Sequence, residues 1–386
     1  MRLQTCLYSR TSGWINQPDS SLDSDNTLIL CFGSADFAEV ESAFSHLHEV
    51  FSQASIVGCS TAGEIFQGDV YDGSLSVAII QFEQTPVSLV SVTLEDGADS
   101  LAAGQQLAAQ LETDSLRSVL VLSDGLAVNG SRLIEGLGGK LPDDVIITGG
   151  LAADGDRFEK TWIWNNGTVG YDNICAVGFY GDHIGIGHGS RGGWDMLGPE
   201  REVTRSRDNV LYEVDGQPAL QLYKRYLGEL ADDLPASGLR FPLAISHPED
   251  GVEDTVRTIL AVDEDADSIT FAGDIPQGAY VRLMRANFER LIDGAADAAL
   301  AVDTTDYASG PMVAISISCV GRRLVLGPRC DEEIDAALGG FPDGTRQVGF
   351  YSYGEISLLA SGQCDLHNQT MTITLLWETL VDESSL

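Results

Sequence analysis

One nine-residue segment occurs twice in the chain. Val57–Ile65 reads VGCSTAGEI and Val348–Ile356 reads VGFYSYGEI, agreeing at five of nine positions. Each copy follows a strand-and-helix pattern and precedes another apolar strand, so the agreement extends to the surroundings, and duplication explains it better than common strand-end glycine usage. Duplicated strand-and-turn units restrict the architecture to one built of related parts, here two pseudo-symmetric halves. A weaker third copy stands at Ile147–Ala152, ITGGLA.

Between the copies, apolar runs bounded by Gly, Asp or Asn alternate with stretches of helical spacing. Leu28–Phe32, Ala54–Ser60, Ser74–Phe82, Val87–Leu94, Ser118–Ser123, Val145–Thr148, Asn173–Tyr180 and His183–His188 read as strands. Ala38–Phe51, Leu101–Leu111 and Ser131–Leu141 read as helices. The second half restarts the pattern with a hairpin-like Glu202–Val214, a helix opening at Pro218, a hairpin through Asp263–Asp267, a helix over Phe288–Val302 and a closing strand Thr370–Trp377. The fold class that follows is α+β, with mixed β-sheets flanked by helices. No linker rich in Pro, Gly and Ser separates the halves, and the expected division is residues 1–215 and 216–386.

Charge removes several function classes. The 386 residues include 22 Lys+Arg against 58 Asp+Glu, a formal net charge of −36. A phosphate-binding surface needs a basic stripe, and the only local cluster, Arg201–Arg207, is short and interleaved with Glu202. Nucleic acid and anionic membranes are therefore excluded as partners. Lysine occurs only at Lys140, Lys160 and Lys224, which fits either a saline habitat or an ordinary acidic protein kept soluble by repulsion. No run approaches the roughly 18 apolar residues of a membrane span, and the N-terminal residues carry no continuous apolar stretch, so a cytoplasmic location is expected. The seven cysteines are scattered without a CxxC pair, which reads as reduced thiols in the core.

Several constellations are candidates for chemistry. Gly187–Gly192 (GHGSRG) satisfies GxGxxG, yet the following GWDMLGP cannot open a helix, so no phosphate cradle forms. Cys59 and Ser60 sit in a Gly-x-Ser-x-x-Gly turn that departs from the nucleophile elbow by one residue; a hydrolase or transferase using them needs a base within reach. Glu64 and Glu355, equivalent in the two copies, either meet in one cleft, where each shifts the other's pKa, or bond separately to nearby backbone. Among the six histidines, His46 and His48 are two apart on a helix and cannot chelate together. His247 and His367 lie in acidic or turn segments. His188, flanked by Gly187 and Gly189, leaves room for a planar ligand at its imidazole or is held by hydrogen bonds in a tight turn; His183 is second.

Five segments in order, Val57–Ile65, Ile147–Asp156 (ITGGLAADGD), His188–Trp194 (HGSRGGW), Val203–Leu227 and Val348–Ile356 followed by Asn368-Gln369-Thr370, resemble the FIST sensory proteins over nearly the whole chain, a FIST N region to about residue 215 and a FIST C region after it. The resemblance implies a non-enzymatic input module that binds a small ligand and acts in trans on a histidine kinase or a cyclic-di-GMP signalling protein, since the chain has no kinase, cyclase or phosphoacceptor motif of its own. It is also similar to a stand-alone branch of haem-binding nitric-oxide sensors (NosP-like). That similarity implies haem b with His188 on the iron, His183 second, and Arg191, Arg205 or Arg207 at the propionates. The competing expectation is a haem-free sensor of a small polar metabolite such as an amino acid, using Glu64, Glu355 and the arginines. For a chain this acidic, docking on a kinase would use a local apolar patch or Arg201–Arg207.

Overall fold

The structure, a computed structural model, describes residues 1–94, 99–111, 114–246, 255–358 and 364–379. The repeat seen in the sequence is present in space, and it occurs three times. In each unit a central strand is followed by helix and then by a parallel strand: Thr27–Ser34 with Ser55–Thr61, Leu116–Ser123 with Ile146–Leu151, and Met312–Cys319 with Arg346–Ser352. On its other side each central strand pairs antiparallel with the unit's last strand, Ser74–Gln81, Asn173–Tyr180 or Met371–Glu378. That last strand pairs in turn with the unit's first, Arg2–Ser9, Val87–Thr93 or Ile184–Arg191. The mixed sheets and helices make the protein α+β, and the ITGGLA segment is the third copy.

The units exchange strands in a cycle. After its parallel strand, the first unit's Glu64–Phe66 pairs with Arg346–Ser352 of the third. The third unit's Gly354–Leu358 pairs with Ile146–Leu151 of the second. The second unit's Ile163–Asn165 pairs with Ser55–Thr61 of the first, closing the ring. Where the three strand ends meet, a cycle of backbone bonds repeats the symmetry: Ala62 N–H donates to Tyr351 C=O (2.8 Å), Tyr353 to Leu151 (3.2 Å) and Ala153 to Ser60 (3.0 Å).

The glycine common to the three copies has a steric cause. Gly58, Gly149 and Gly349 lie in register with Cys31, Val121 and Ser316 of the central strands. A Cβ at these positions would stand 2.4, 1.9 and 1.8 Å from those residues' carbonyl oxygens. Only glycine permits so close an approach of two backbones.

Packing uses the exchange as well. Trp162 and Trp164, at the second unit's crossing strand, lie against Phe44 on the first unit's helix Glu41–Val50, with ring centroids 5.6 and 4.3 Å away. The Trp162 indole N–H donates to Ser34 C=O at 3.1 Å. Burying such aromatics across a unit boundary ties the units together by about 3–5 kcal/mol per ring on truncation.

The third unit carries an insertion. Between Ile184–Arg191 and the helix Phe288–Leu300, the chain leaves the ring to form an eight-stranded antiparallel sheet from Asp195–Arg207 to Tyr280–Arg285, with helix Ala219–Leu227 across it. Val203, Leu211, Leu220, Ile245, Ile259 and Phe271 give this sheet an apolar core of its own. Residue 215 lies in the turn joining Val210–Val214 to Gln217–Pro218, inside the inserted sheet. Arg322, fully buried, grips both ends of the insertion: its guanidinium donates to the carbonyls of Gly192 and Leu291 and pairs with Glu333 at 2.7 Å.

Among the elements not legible from the pattern are the first strand Arg2–Ser9, which mixes polar and apolar residues, the short strand Leu243–Ser246, and the helix Val320–Leu326, which follows its strand directly with no turn residue between them.

Candidate functional site

Each sequence-predicted residue has a definite place. Glu64 and Glu355 do occupy equivalent positions, each fully buried at the turn after its parallel strand. Thr61 Oγ1 donates to Glu64 and Ser352 Oγ to Glu355, both at 2.5 Å. On the far oxygen Glu64 accepts from Ser74 N and Oγ (3.0 and 2.7 Å), and Glu355 from Thr370 N and Oγ1 (3.3 and 3.1 Å). The two carboxyls share no partner; each is a separate staple. Burial pushes Glu64 up to about 7 and Glu355 up to about 8, because desolvation of the charged form outweighs the hydroxyl and N–H donors.

Cys59 and Ser60 are sealed in the core. Burial drives the Cys59 thiol well above its usual range, opposite to what a nucleophile needs. Ser60 Oγ accepts from Trp162 N–H at 3.1 Å, and no side-chain base bonds to it among the described residues.

His188 fails the fit to a haem iron. Its Nε2 lies 2.8 Å from Ser357 Oγ and its Nδ1 3.4 Å from Thr374 Oγ1, so both ring nitrogens have partners. Burial, with His367 nearby, holds the imidazole neutral down to about 4. The flanking glycines serve helix packing: a Cβ on Gly187 would stand 2.3 Å from Val302 Cγ1, and one on Gly189 2.1 Å from Ala298 C=O. The open flanks expected from the sequence are covered by the end of helix Phe288–Leu300 and the residues after it. His183 receives Thr379 N–H at its carbonyl (2.8 Å) and keeps a buried Nδ1 without a hydrogen-bond partner. The adjoining groove of about 1160 Å³, part of it open to solvent, is lined by Asp144, Asp182, Asp303 and Asp306 together with Arg117, which pairs with Asp182, so its balance is acidic and disfavours propionates.

The arginines are committed elsewhere. Arg191 is exposed and donates to the Ser190 carbonyl. Arg205 pairs with Glu213 at 2.9 Å and Arg207 with Asp208 at 3.6 Å, both on the inserted sheet. With Arg201 on Asp215 at 2.7 Å, the basic cluster is matched by acids. His46 accepts from the Trp14 indole at 2.9 Å, His48 is exposed, and His247 lies outside the described residues. No group of three or more His, Cys, Asp or Glu side chains that would hold a metal ion occurs among the described residues.

A different place has the form of a site. The parallel strands Leu116–Ser123 and Ile146–Leu151 end side by side, and ligands of such sheets bind outside the strands' carboxyl ends. There the loop Gly125–Asn129, Leu151 and Tyr353 face Asn209, Leu260 and Ala272 of the inserted sheet across a crevice of about 580 Å³, part of it open to solvent. Buried aspartates fix its rim. Asp124 accepts from Leu126 N (2.8 Å), Ala127 N (2.7 Å) and Thr161 Oγ1. Asp154 accepts from Phe158, Glu159 and Lys160 N–H at 2.9–3.0 Å and from Tyr353 OH. Phe158 stacks on the Tyr353 ring at 4.6 Å.

Polar groups hold the two walls together around the crevice. Asn129 Nδ2 donates to Asp274 at 2.9 Å, and Arg132 pairs with Asp274 at 3.2 Å and Asp208 at 3.6 Å. Arg257 donates to Leu366 C=O (2.7 Å) and pairs with Asp365 (3.3 Å). These contacts are polar at the crevice, while elsewhere Ala244 and Met284 of the inserted sheet are buried in the ring's core. The crevice residues lie far apart in the chain, so no spacing rule joined them; Leu151, Asp154, Asn209 and Tyr353 stood in segments already noticed, but nothing in the sequence brought those segments to one place.

No helix among the described residues is long and apolar enough to cross a membrane. An uncharacterized protein of Methanocaldococcus jannaschii is 24% identical over 313 residues, 74% of this chain and 58% of the relative, so the chain matches less than two thirds of that protein's length. The FIST N domain matches residues 27–217 and the FIST C domain residues 219–357. Together they cover most of the ring and all of its insertion, and the chain belongs to the FIST family of sensor-type signal-transduction domains.

Proposed function

We propose that the chain is a small-ligand sensor whose ligand lodges in the crevice between the ring and the inserted sheet, and that it acts in trans on a signalling partner such as a histidine kinase or a cyclic-di-GMP enzyme. The observation that carries this reading is the crevice itself: it stands at the carboxyl ends of two parallel strands, and its far wall is the inserted sheet, which has an apolar core of its own and meets the ring around the crevice through polar groups. A ligand touching both walls favours one docking geometry over others, and the shift it produces equals its differential affinity for the two. The haem and nitric-oxide form of this sensor is not what the surroundings of His188 favour, since both ring nitrogens are hydrogen-bonded.

The test is thermal melting of the purified chain with and without the small-molecule fraction of a cell extract, beside Leu260→Trp, which fills the crevice from the inserted sheet. A fraction that raises the melting temperature of the parent and leaves the variant unmoved supports the reading. A rise of equal size in both places the ligand elsewhere.

A further inference from the structure

The crevice also specifies what kind of molecule it takes, an argument that rests on its being the ligand site. Its lining holds two carboxamides (Asn129 and Asn209), the phenol of Tyr353 and otherwise glycine, alanine, valine and leucine. Among the described residues no charged side chain lines it, in a chain with 80 charged ones counted from 22 basic and 58 acidic. The charges just behind the walls are already engaged: Asp274 with Arg132 and Asn129, Asp208 with Arg132, and Asp154 with three backbone N–H groups and Tyr353.

An ion entering such a space loses part of its water and gains no counter-charge. A neutral molecule loses only what unmatched polar groups cost. Asn209 donates through Nδ2 to Phe271 C=O at 2.8 Å, and its Oδ1 takes no hydrogen bond from the described residues. That oxygen is an acceptor awaiting a donor. The Leu126, Val128, Leu151 and Leu260 side chains supply apolar contact for the rest of a ligand.

We infer that the crevice binds an uncharged, partly apolar small molecule carrying a hydroxyl or N–H donor, read by Asn209, and that it discriminates against free amino acids, carboxylates and amines. A zwitterion would bring two charges to walls that answer neither.

Three probes of nearly equal size separate the possibilities: benzyl alcohol, benzoate and benzylammonium, titrated into the full chain and followed by ligand-observed NMR. Benzyl alcohol is expected to bind about tenfold or more tightly than either ion, and Leu260→Trp to abolish its binding. Asn209→Asp is expected to move the preference toward benzylammonium by a similar factor, which keeps the test alive if the tryptophan variant does not fold. If benzoate or benzylammonium binds the parent at least as well as the alcohol, and Leu260→Trp removes that binding, the crevice is a ligand site and the inferred class is wrong. If no probe binds, or binding survives Leu260→Trp in a folded protein, the crevice reading falls and the ligand class falls with it.

Discussion

Glu64 and Glu355 stand in the same position of two repeats, and each accepts a hydroxyl from the residue three before it, Thr61 and Ser352, at 2.5 Å. Both are buried and pushed up, to about 7 and about 8. Their folded pKa values exceed the unfolded carboxylate value, so the folded state holds protons that the unfolded chain has released. Stability from each group is then complete below about pH 4.5 and falls by about 1.4 kcal/mol per pH unit until the folded pKa is passed. Glu64→Gln and Glu355→Gln keep the shape and remove the titration. Each variant should match the parent at pH 4.5 and exceed it in melting temperature at pH 8. A difference independent of pH across that window would refute the assignment.

Gly149→Ala tests the glycine shared by the repeats. Its new methyl would stand 1.9 Å from Val121 C=O, a backbone atom in a central strand, and the cost should exceed about 3 kcal/mol. Gly155→Ala, at φ +83° with nothing within 4 Å, should cost about 1–2 kcal/mol. Urea denaturation of the pair checks the contrast; equal losses would mean that close approach is not what glycine serves at residue 149.

His188→Ala should lower stability by about 1–3 kcal/mol, because it strands the hydroxyls of Ser357 and Thr374. Added haem should give the same Soret absorbance in variant and parent. A Soret band present in the parent and absent from a folded variant would restore the axial-ligand assignment.

Arg322→Met leaves Glu333 as a buried unpaired carboxylate and frees the carbonyls of Gly192 and Leu291. A loss of about 3–5 kcal/mol is expected. Adding Glu333→Leu should restore only part of it, because the guanidinium's bonds to the Gly192 and Leu291 carbonyls at the root of the insertion are not replaced. Amide exchange at residues 192–194 and 291–294 should stay faster than in the parent even in the double variant; full recovery in exchange and stability would show the ion pair to be the whole effect.

Legibility from sequence followed locality. Strands such as Thr27–Ser34 and Asn173–Tyr180 carry unbroken apolar runs, Leu28–Phe32 and Ile174–Val177, and they were readable because burial on both faces leaves no polar alternation there. The duplicated Val-Gly turn was readable because close backbone contact admits one residue type, and the same constraint explains why ITGGLA retained little besides its glycine. The glycines around His188 misled for a related reason: an absent Cβ shows that something lies close, and here it is helix Phe288–Leu300 and Val302 instead of a cofactor. Tyr353, Asn209 and Leu260 meet through the ring closure and the docking of the insertion, and neither leaves a periodic trace.

The exchange of strands around the ring also sets an order of events for the growing chain. Gly68 N–H ends on the side chain of Gln347, 279 residues later, and Phe66 lies beside Val348. A ribosome delivering about 5–20 residues per second leaves the arm Glu64–Phe66 without its neighbour for tens of seconds. Through that interval its exposed edge is open to any other unpaired strand, including the same arm on a second nascent chain.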